Sequence, residues 1–309
     1  MFGPDYDSNL WLLRLPDGKP EQLTSFGPLE FSSNPAWSPD GRQIAFSYYR
    51  LPGGGGIPVP EGTDLYRINA NGSGLRVLAT HDVPGAALQY PVWAAGGASV
   101  YVSYMGPTGF AVDRVDSRSG VRSRIIPNAG YPSVSRDGRR LAYVLFPTPE
   151  VRGQSLWWSA PDGSNPREIV GPTTFEKYFG LRLSPDGRRL LFAAVGQPAT
   201  TRPPTASLLH PLGLLTRAFG PSVAHANGDL WDLWIVDLDG RKLRPLTALS
   251  EDLPVGAWSP EGNYVAFLGG GSASSAEAGL TIITAEGKDL RRLTAQPGHR
   301  GLDWTRASR

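Results

Sequence analysis

An all-β chain built from repeated small sheets is what this sequence predicts, on three observations. Glycine (38 residues) and proline (29) are abundant and aromatic residues make up 10%, the mixture of many short strands joined by tight turns. A phrase typified by NPAWSPDGRQIAF at 34–46 recurs along the chain. A second phrase, typified by DLYRINANGSGLRVLAT from Asp64, alternates with it.

The first phrase returns as YPVWAAGGASVYV at 90, YPSVSRDGRRLAY at 131, GLRLSPDGRRLLF at 180, VGAWSPEGNYVAF at 255 and a truncated GLDWTRAS at 301. Each full copy reads as an alternating strand A, a tight turn and an alternating strand B. In Ser38-Pro39-Asp40-Gly41 the proline sits second and the glycine fourth, as a type I turn prefers. The second phrase begins at Leu10, Asp64, Phe110, Ser155, Asp232 and Leu280 and reads as a further hairpin, strands C and D, turning on Asp-Gly, Asn-Gly or a relative. Four short antiparallel strands repeated six times, with 41 residues as the closest spacing (Trp93 to Val134), match the period of propeller blades. The expectation is a six-bladed β-propeller forming one domain over 1–309, with an insertion at 196–229.

The chain opens on a C–D hairpin and finishes on an A strand at Leu302 to Thr305, so its ends are expected to share a blade, with residues 1–3 supplying strand B. Such closure removes exposed sheet edges. Trp37, Trp93, Val134, Leu183, Trp258 and Trp304 are equivalent and are expected to pack between blades.

Composition bounds the function classes. Hydrophobic residues at 40% and charged residues at 19% suit a packed core. A net charge of +2 gives no field that argues for nucleic acid. Without cysteine there is no disulfide, thiolate metal site or cysteine nucleophile. No run of about 18 apolar residues is present, so no membrane span is expected, and the start MFGPDYDSNLW lacks the pattern of an export signal.

The paired phrases, xPxWSPDGxxIAF followed by LWxxxxDGxxxxLT, resemble the TolB-type β-propeller repeat over essentially the whole chain. The most faithful copies are Asn34 to Phe46 with Asp64 to Thr80, and Val255 to Phe267 with Leu280 to Thr294; Ala94-Ala95-Gly96-Gly97 departs from the turn consensus. The resemblance implies a six-bladed propeller that docks protein partners, and a periplasmic or extracellular location. The additional N-terminal α/β domain of TolB has no counterpart in these residues.

In a four-stranded meander the A–B and C–D turns share one face, and the B–C and D–A connections share the other. The second face carries the long segments Leu51 to Thr63, Phe146 to Gln154, Gly196 to Gly228 and Gly269 to Ala278, so it is the expected interaction surface. Its D–A connections bring Glu30, Asn34, Gln89, Tyr90, Tyr131, Glu176, Tyr178, Asp252, His299, Arg300 and Asp303 toward the central opening. This mixed polar and aromatic rim suits a peptide or protein partner. The insertion, with Leu208, Leu209, Leu212, Leu214, Leu215 and Phe219, reads as a lid or partner patch.

No G-x-S-x-G elbow occurs and His81, His210, His225 and His299 are scattered, so no catalytic residue is assigned. No cofactor is expected. The alternative is a metal-dependent, lactonase-like hydrolase at the channel mouth, with a divalent cation such as calcium held by Glu30, Asn34, Glu176, Asp252 and Asp303. The run Gly53 to Gly56 lacks the Lys-Ser/Thr of a phosphate loop. Arg42, Arg139, Arg140, Arg188, Arg189, Lys242 and Lys288 read as a solvated rim on the short-turn face, and a monomer is expected.

Overall fold

The computed structural model describes residues 9–15, 19–52, 61–196, 231–248, 254–269, 279–294 and 301–306. Among them the strands form five four-stranded antiparallel sheets, each an unbroken meander, and one two-stranded hairpin. The hairpin is β1 (Trp11–Leu12) with β2 (Glu21–Gln22). Blade 1 is β3 (Glu30–Trp37), β4 (Gln43–Arg50), β5 (Asp64–Asn69) and β6 (Arg76–Ala79). Blade 2 is β7 (Ala87–Trp93), β8 (Ser99–Gly106), β9 (Gly109–Asp116) and β10 (Arg122–Pro127). Blade 3 is β11 (Ala129–Val134), β12 (Leu141–Leu145), β13 (Ser155–Ser159) and β14 (Arg167–Val170). Blade 4 is β15 (Lys177–Leu183), β16 (Arg189–Val195), β17 (Trp231–Asp237) and β18 (Arg244–Pro245). Blade 5 is β19 (Val255–Trp258), β20 (Tyr264–Gly269), β21 (Gly279–Thr284) and β22 (Arg291–Arg292).

Among the described residues five complete blades are present rather than the six expected. The sixth would need strands from both chain ends, whereas 301–306 carries no strand pairing and residues 1–8 and 295–300 lie outside the described residues. The insertion also lies outside them, apart from Gly196.

Strand alternation builds a core between blades rather than within one. On β16, Leu190 and Phe192 join Leu156, Leu181 and Trp234. The intervening Leu191 and Ala193 join Leu233, Phe267 and Ile283 on the opposite side. Every central blade thus buries both faces, as a two-residue period with apolar residues at both parities requires. Leu10 packs with Ile44, Phe46 and Ile68, so the β1–β2 hairpin covers the free face of blade 1.

Small polar devices repeat with the sequence. The Ser38 hydroxyl donates to Asp40 Oδ1 (2.6 Å), which also accepts from Arg42 N, while Ser38 Oγ accepts from Gln43 N (2.8 Å). Ser135 with Asp137, and Ser184 with Asp186, repeat the arrangement. At the other end of the blade, the Asn/Asp-Leu-aromatic start of strand C meets the Leu-Thr end of strand D. Thr24 Oγ1 accepts from Leu10 N and donates to Asn9 Oδ1; Thr247 does the same for Leu233 N and Asp232. These contacts explain why the repeat keeps Ser-x-Asp-Gly and Leu-Thr: each satisfies backbone groups where ladder pairing stops.

The turn carboxylates carry a pH signature. The Ser38 hydroxyl and then Arg42 N hold Asp40 below its ordinary value of 3.8, and Ser135 and Arg139 N do so for Asp137. At Asp186 burial pushes upward, but the Ser184 hydroxyl and Arg188 N outweigh it. A depressed folded-state value means the stabilisation is complete above the unfolded value and is lost as pH falls through the folded one. The triple variant Ser38→Ala, Ser135→Ala, Ser184→Ala should melt earlier than wild type at neutral pH, by about 1 kcal/mol per turn. The gap should narrow below pH 3.8; calorimetric melts across that range showing a constant gap would refute the assignment.

Candidate functional site in the axial channel

The innermost strands share an irregularity. The pairing register of A with B shifts between Ser33 and Ala36, Gln89 and Val92, Gly130 and Ser133, and Phe179 and Arg182. At each bulge one residue takes a left-handed backbone: Asn34, Tyr90 and Tyr131 at φ 53° and Gly180 at φ 61°. Proline follows in the first three copies and donates no ladder hydrogen bond, so the bulge falls where pairing must lapse. Asn and Gly tolerate this conformation, but for tyrosine it stores about 1–3 kcal/mol of strain.

The strained tyrosines meet on the axis. Tyr90 and Tyr131 ring centroids lie 4.8 Å apart, Tyr131 and Phe179 4.9 Å, and Tyr90 and Phe179 5.3 Å. Blades 2 and 4 are not neighbours, so their side chains touch only by crossing the channel in front of blade 3. Phe146, at 5.9 Å from Tyr131, and Trp231, at 6.1 Å from Phe179, extend the cluster toward the B–C connections. Burial pushes the Tyr131 hydroxyl up to about 12.

The opposite, short-turn end of the channel opens into a cavity of ≈ 340 Å³. Its walls include Trp37, Arg136, Arg182, Trp258, Asp303 and Arg306. Asp303 Oδ2 accepts from Trp37 N at 2.7 Å, and Oδ1 from Trp304 N at 2.9 Å. Burial raises the Asp303 carboxyl, opposed by Arg182 and by the two N–H donors. Arg182 is half-buried beside it, and desolvation lowers its affinity for the proton while Asp303 restores part of it; a guanidinium remains charged throughout.

The rim residues expected from the sequence separate into groups. Tyr90, Tyr131 and, on the same bulge position, Asn34 lie on the inner strands, with Gln89 half-buried beside Tyr90. Glu30 accepts from Tyr48 Oη at 2.6 Å and from Gly27 N at 2.8 Å. It starts β3, whereas Asp303 meets the strand at Trp37, its last residue. At a rise of about 3.3 Å per residue these two carboxylates stand roughly 20 Å apart, so they do not converge as one metal site. Glu176 is exposed. Tyr178 is corrected to a core residue: it is 1% exposed, and its hydroxyl donates to Gly171 O. Asp252, His299 and Arg300 lie outside the described residues. Among the described residues no three His, Asp or Glu side chains gather closely enough to hold a metal ion.

Three features were missed from sequence. Phe179, not Tyr178, completes the axial cluster. Arg182 carries the half-buried charge of the mouth, and aligned copies could have exposed it: the residue before the repeated Trp is Ala36, Val92, Ser133, Arg182, Ala257 or Asp303, so only two copies depart to a charge. Arg140 and Arg189 are not merely rim residues, since they donate to Gly187 O (2.7 Å) and Gly262 O (3.2 Å) in the turns of the next blades.

His81 Nδ1 lies 2.7 Å from Asp64 Oδ1, a pair that invites a catalytic reading. Asp64 matches Asn9 and Asp232 in the repeat, however, and also accepts from His81 N at 2.8 Å, so it caps the end of strand D. A Cβ at Gly62 would come within 2.4 Å of the imidazole, so glycine is what admits the ring.

Comparison with solved structures finds the same architecture. A TolB candidate from Agrobacterium tumefaciens superposes with a TM-score of 0.63 at 17% identity, over 93% of this chain and 89% of that one. TolB from Acinetobacter baumannii gives 0.67 at 15%, over 96% of this chain and 62% of that longer one. An oligogalacturonate lyase in complex with manganese gives 0.51 at 13%, over 93% and 72%. No protein-family model and no curated protein matches the chain. The molecule is thus an all-β propeller of four-stranded antiparallel blades. Its fold is shared with TolB structures at identities that speak for the fold alone. No helix among the described residues is long and apolar enough to cross a membrane.

Proposed function

We propose that this chain is a non-catalytic binding propeller that receives a peptide or protein segment at the long-connection end of its axial channel. The observation that carries the reading is the Tyr90–Tyr131–Phe179 cluster, in which two tyrosines hold a costly backbone conformation to place their rings on the axis. Strain retained at one locus supports a role beyond packing, and tyrosine offers large, stiff, amphipathic contact area. The same reading includes a ring closed by the chain ends. Gly301 takes φ +99° at the position equivalent to Asn34, and a Cβ there would come within 2.8 Å of the Asn34 backbone. Asp303 moreover accepts from Trp37 N as Ser133 Oγ accepts from Leu183 N between blades 3 and 4. Likeness to TolB structures supports a protein partner and a periplasmic setting.

Asparagine, which blade 1 already carries at the bulge, supplies the test. Tyr90→Asn and Tyr131→Asn keep a residue suited to the left-handed backbone while removing the rings. Peptide-array and pull-down binding should fall at least about tenfold, or about 1.4 kcal/mol, while a cooperative melt, lowered by the lost ring packing, shows that the fold persists. Undiminished binding in the double variant would end the proposal.

A further inference from the structure

The short-turn end of the channel is chemically unlike the aromatic end, and we infer that it is a binding site for a carboxylate group, with Arg182 as its principal ligand. This does not depend on what docks at the other end. Arg182 lines the ≈ 340 Å³ cavity, and its hydrogen bond is to Leu181 O on its own strand, 2.9 Å away. A guanidinium carries five N–H donors arranged as a fork that fits a carboxylate. Holding that charge half-buried is costly unless an anion and hydrogen bonds compensate it.

The internal anion compensates only in part. Asp303 attracts Arg182 through space without an ion-pair contact, and both its oxygens are already engaged by Trp37 N and Trp304 N. Around the cavity, Arg136 makes no ion pair among the described residues, and Arg306 is drawn to Glu261 at 2.9 Å. Asp40 is committed to its own turn through Ser38 and Arg42 N. The cavity therefore offers a half-buried cation with donors to spare, a second cation at the rim and the half-buried indole of Trp37, beside the edge of Trp258, to pack against the rest of a ligand. Such a site fits the terminal carboxylate of an extended peptide or a small carboxylic acid. The two sources share one chemistry and differ in what the indoles would cover.

Trp37 and Trp258 make the site readable by fluorescence at constant ionic strength. The probes are acetate, succinate, tri-alanine with a free C-terminus, and the same tripeptide amidated. Saturable quenching by acetate or succinate alone identifies a small-acid site, and quenching by the free tripeptide alone identifies a chain terminus; both support the proposal. Arg182→Gln should weaken whichever binds at least about tenfold, and Arg182→Lys several-fold, because a point charge lacks the fork. If Arg182→Gln fails to fold with Asp303 left alone, the double variant Arg182→Gln, Asp303→Asn removes both charges and should fold without binding. The proposal is overturned if no carboxylate probe quenches wild type, if the amidated tripeptide binds as well as the free one, or if either Gln variant keeps wild-type affinity.

Discussion

Replacing Trp258 by alanine is expected to cost about 3–5 kcal/mol of stability, the range for deleting a buried aromatic side chain. Trp258 is 6% exposed, wedged among Leu191, Leu233 and Val265, with the Arg189 guanidinium 4.9 Å above its ring. Its indole N–H donates to Arg182 O of the preceding blade at 3.0 Å, as Trp93 donates to Ala36 O at 3.1 Å. Trp258→Phe keeps most of the apolar area and loses the hydrogen bond, so it should cost only about 1–3 kcal/mol, the penalty for an unsatisfied carbonyl. Calorimetry on the pair separates the two contributions. A loss below about 1 kcal/mol in Trp258→Ala would show that the inter-blade wedge is not what holds blades 4 and 5 together.

Asp303→Ala should cost about 3 kcal/mol, because it leaves Trp37 N without its acceptor and Arg182 without its nearest anion. The contact joins positions 266 residues apart, so this loss falls on the link between residues 301–306 and blade 1 rather than within one blade. Asp303→Asn retains an acceptor for Trp37 N and should recover about half the loss. Thermal melts and limited proteolysis of the three proteins decide the matter. A change in Asp303→Ala within about 0.5 kcal/mol of wild type, the usual range for inconsequential surface changes, would remove residues 301–306 from the ring.

Much of the fold was legible because its determinants are local. The Ser-Pro-Asp-Gly turns, the Asp-Leu-aromatic strand starts and the Leu-Thr ends each close hydrogen bonds within a few residues or one sheet, so their spacing reveals the blades. The axial geometry was less legible. Tyr178 reads as a neighbour of the rim, yet counting back from the bulge makes it equivalent to Leu88 and Ala129, both 0% exposed. Gly180 occupies the position of Tyr90 and Tyr131, and the preceding Phe179 supplies the ring that glycine cannot. Position within the bulge, rather than residue type, decides which aromatic reaches the axis. Arg182 escaped notice for a different reason: its charge stands out only when the copies are aligned, and its importance lies in a relation to Asp303, 121 residues away.

The arginines that reach from one turn to the next have a directional consequence. Arg140 on blade 3 grips Gly187 on blade 4, and Arg189 on blade 4 grips Gly262 on blade 5. The corresponding residues are Gln43 in blade 1, Ser99 in blade 2 and Tyr264 in blade 5, none of which carries a guanidinium. The guanidinium rivets thus run through one arc and stop, and the junction of blades 1 and 2 is tied instead by the Trp93 indole donating to Ala36 O.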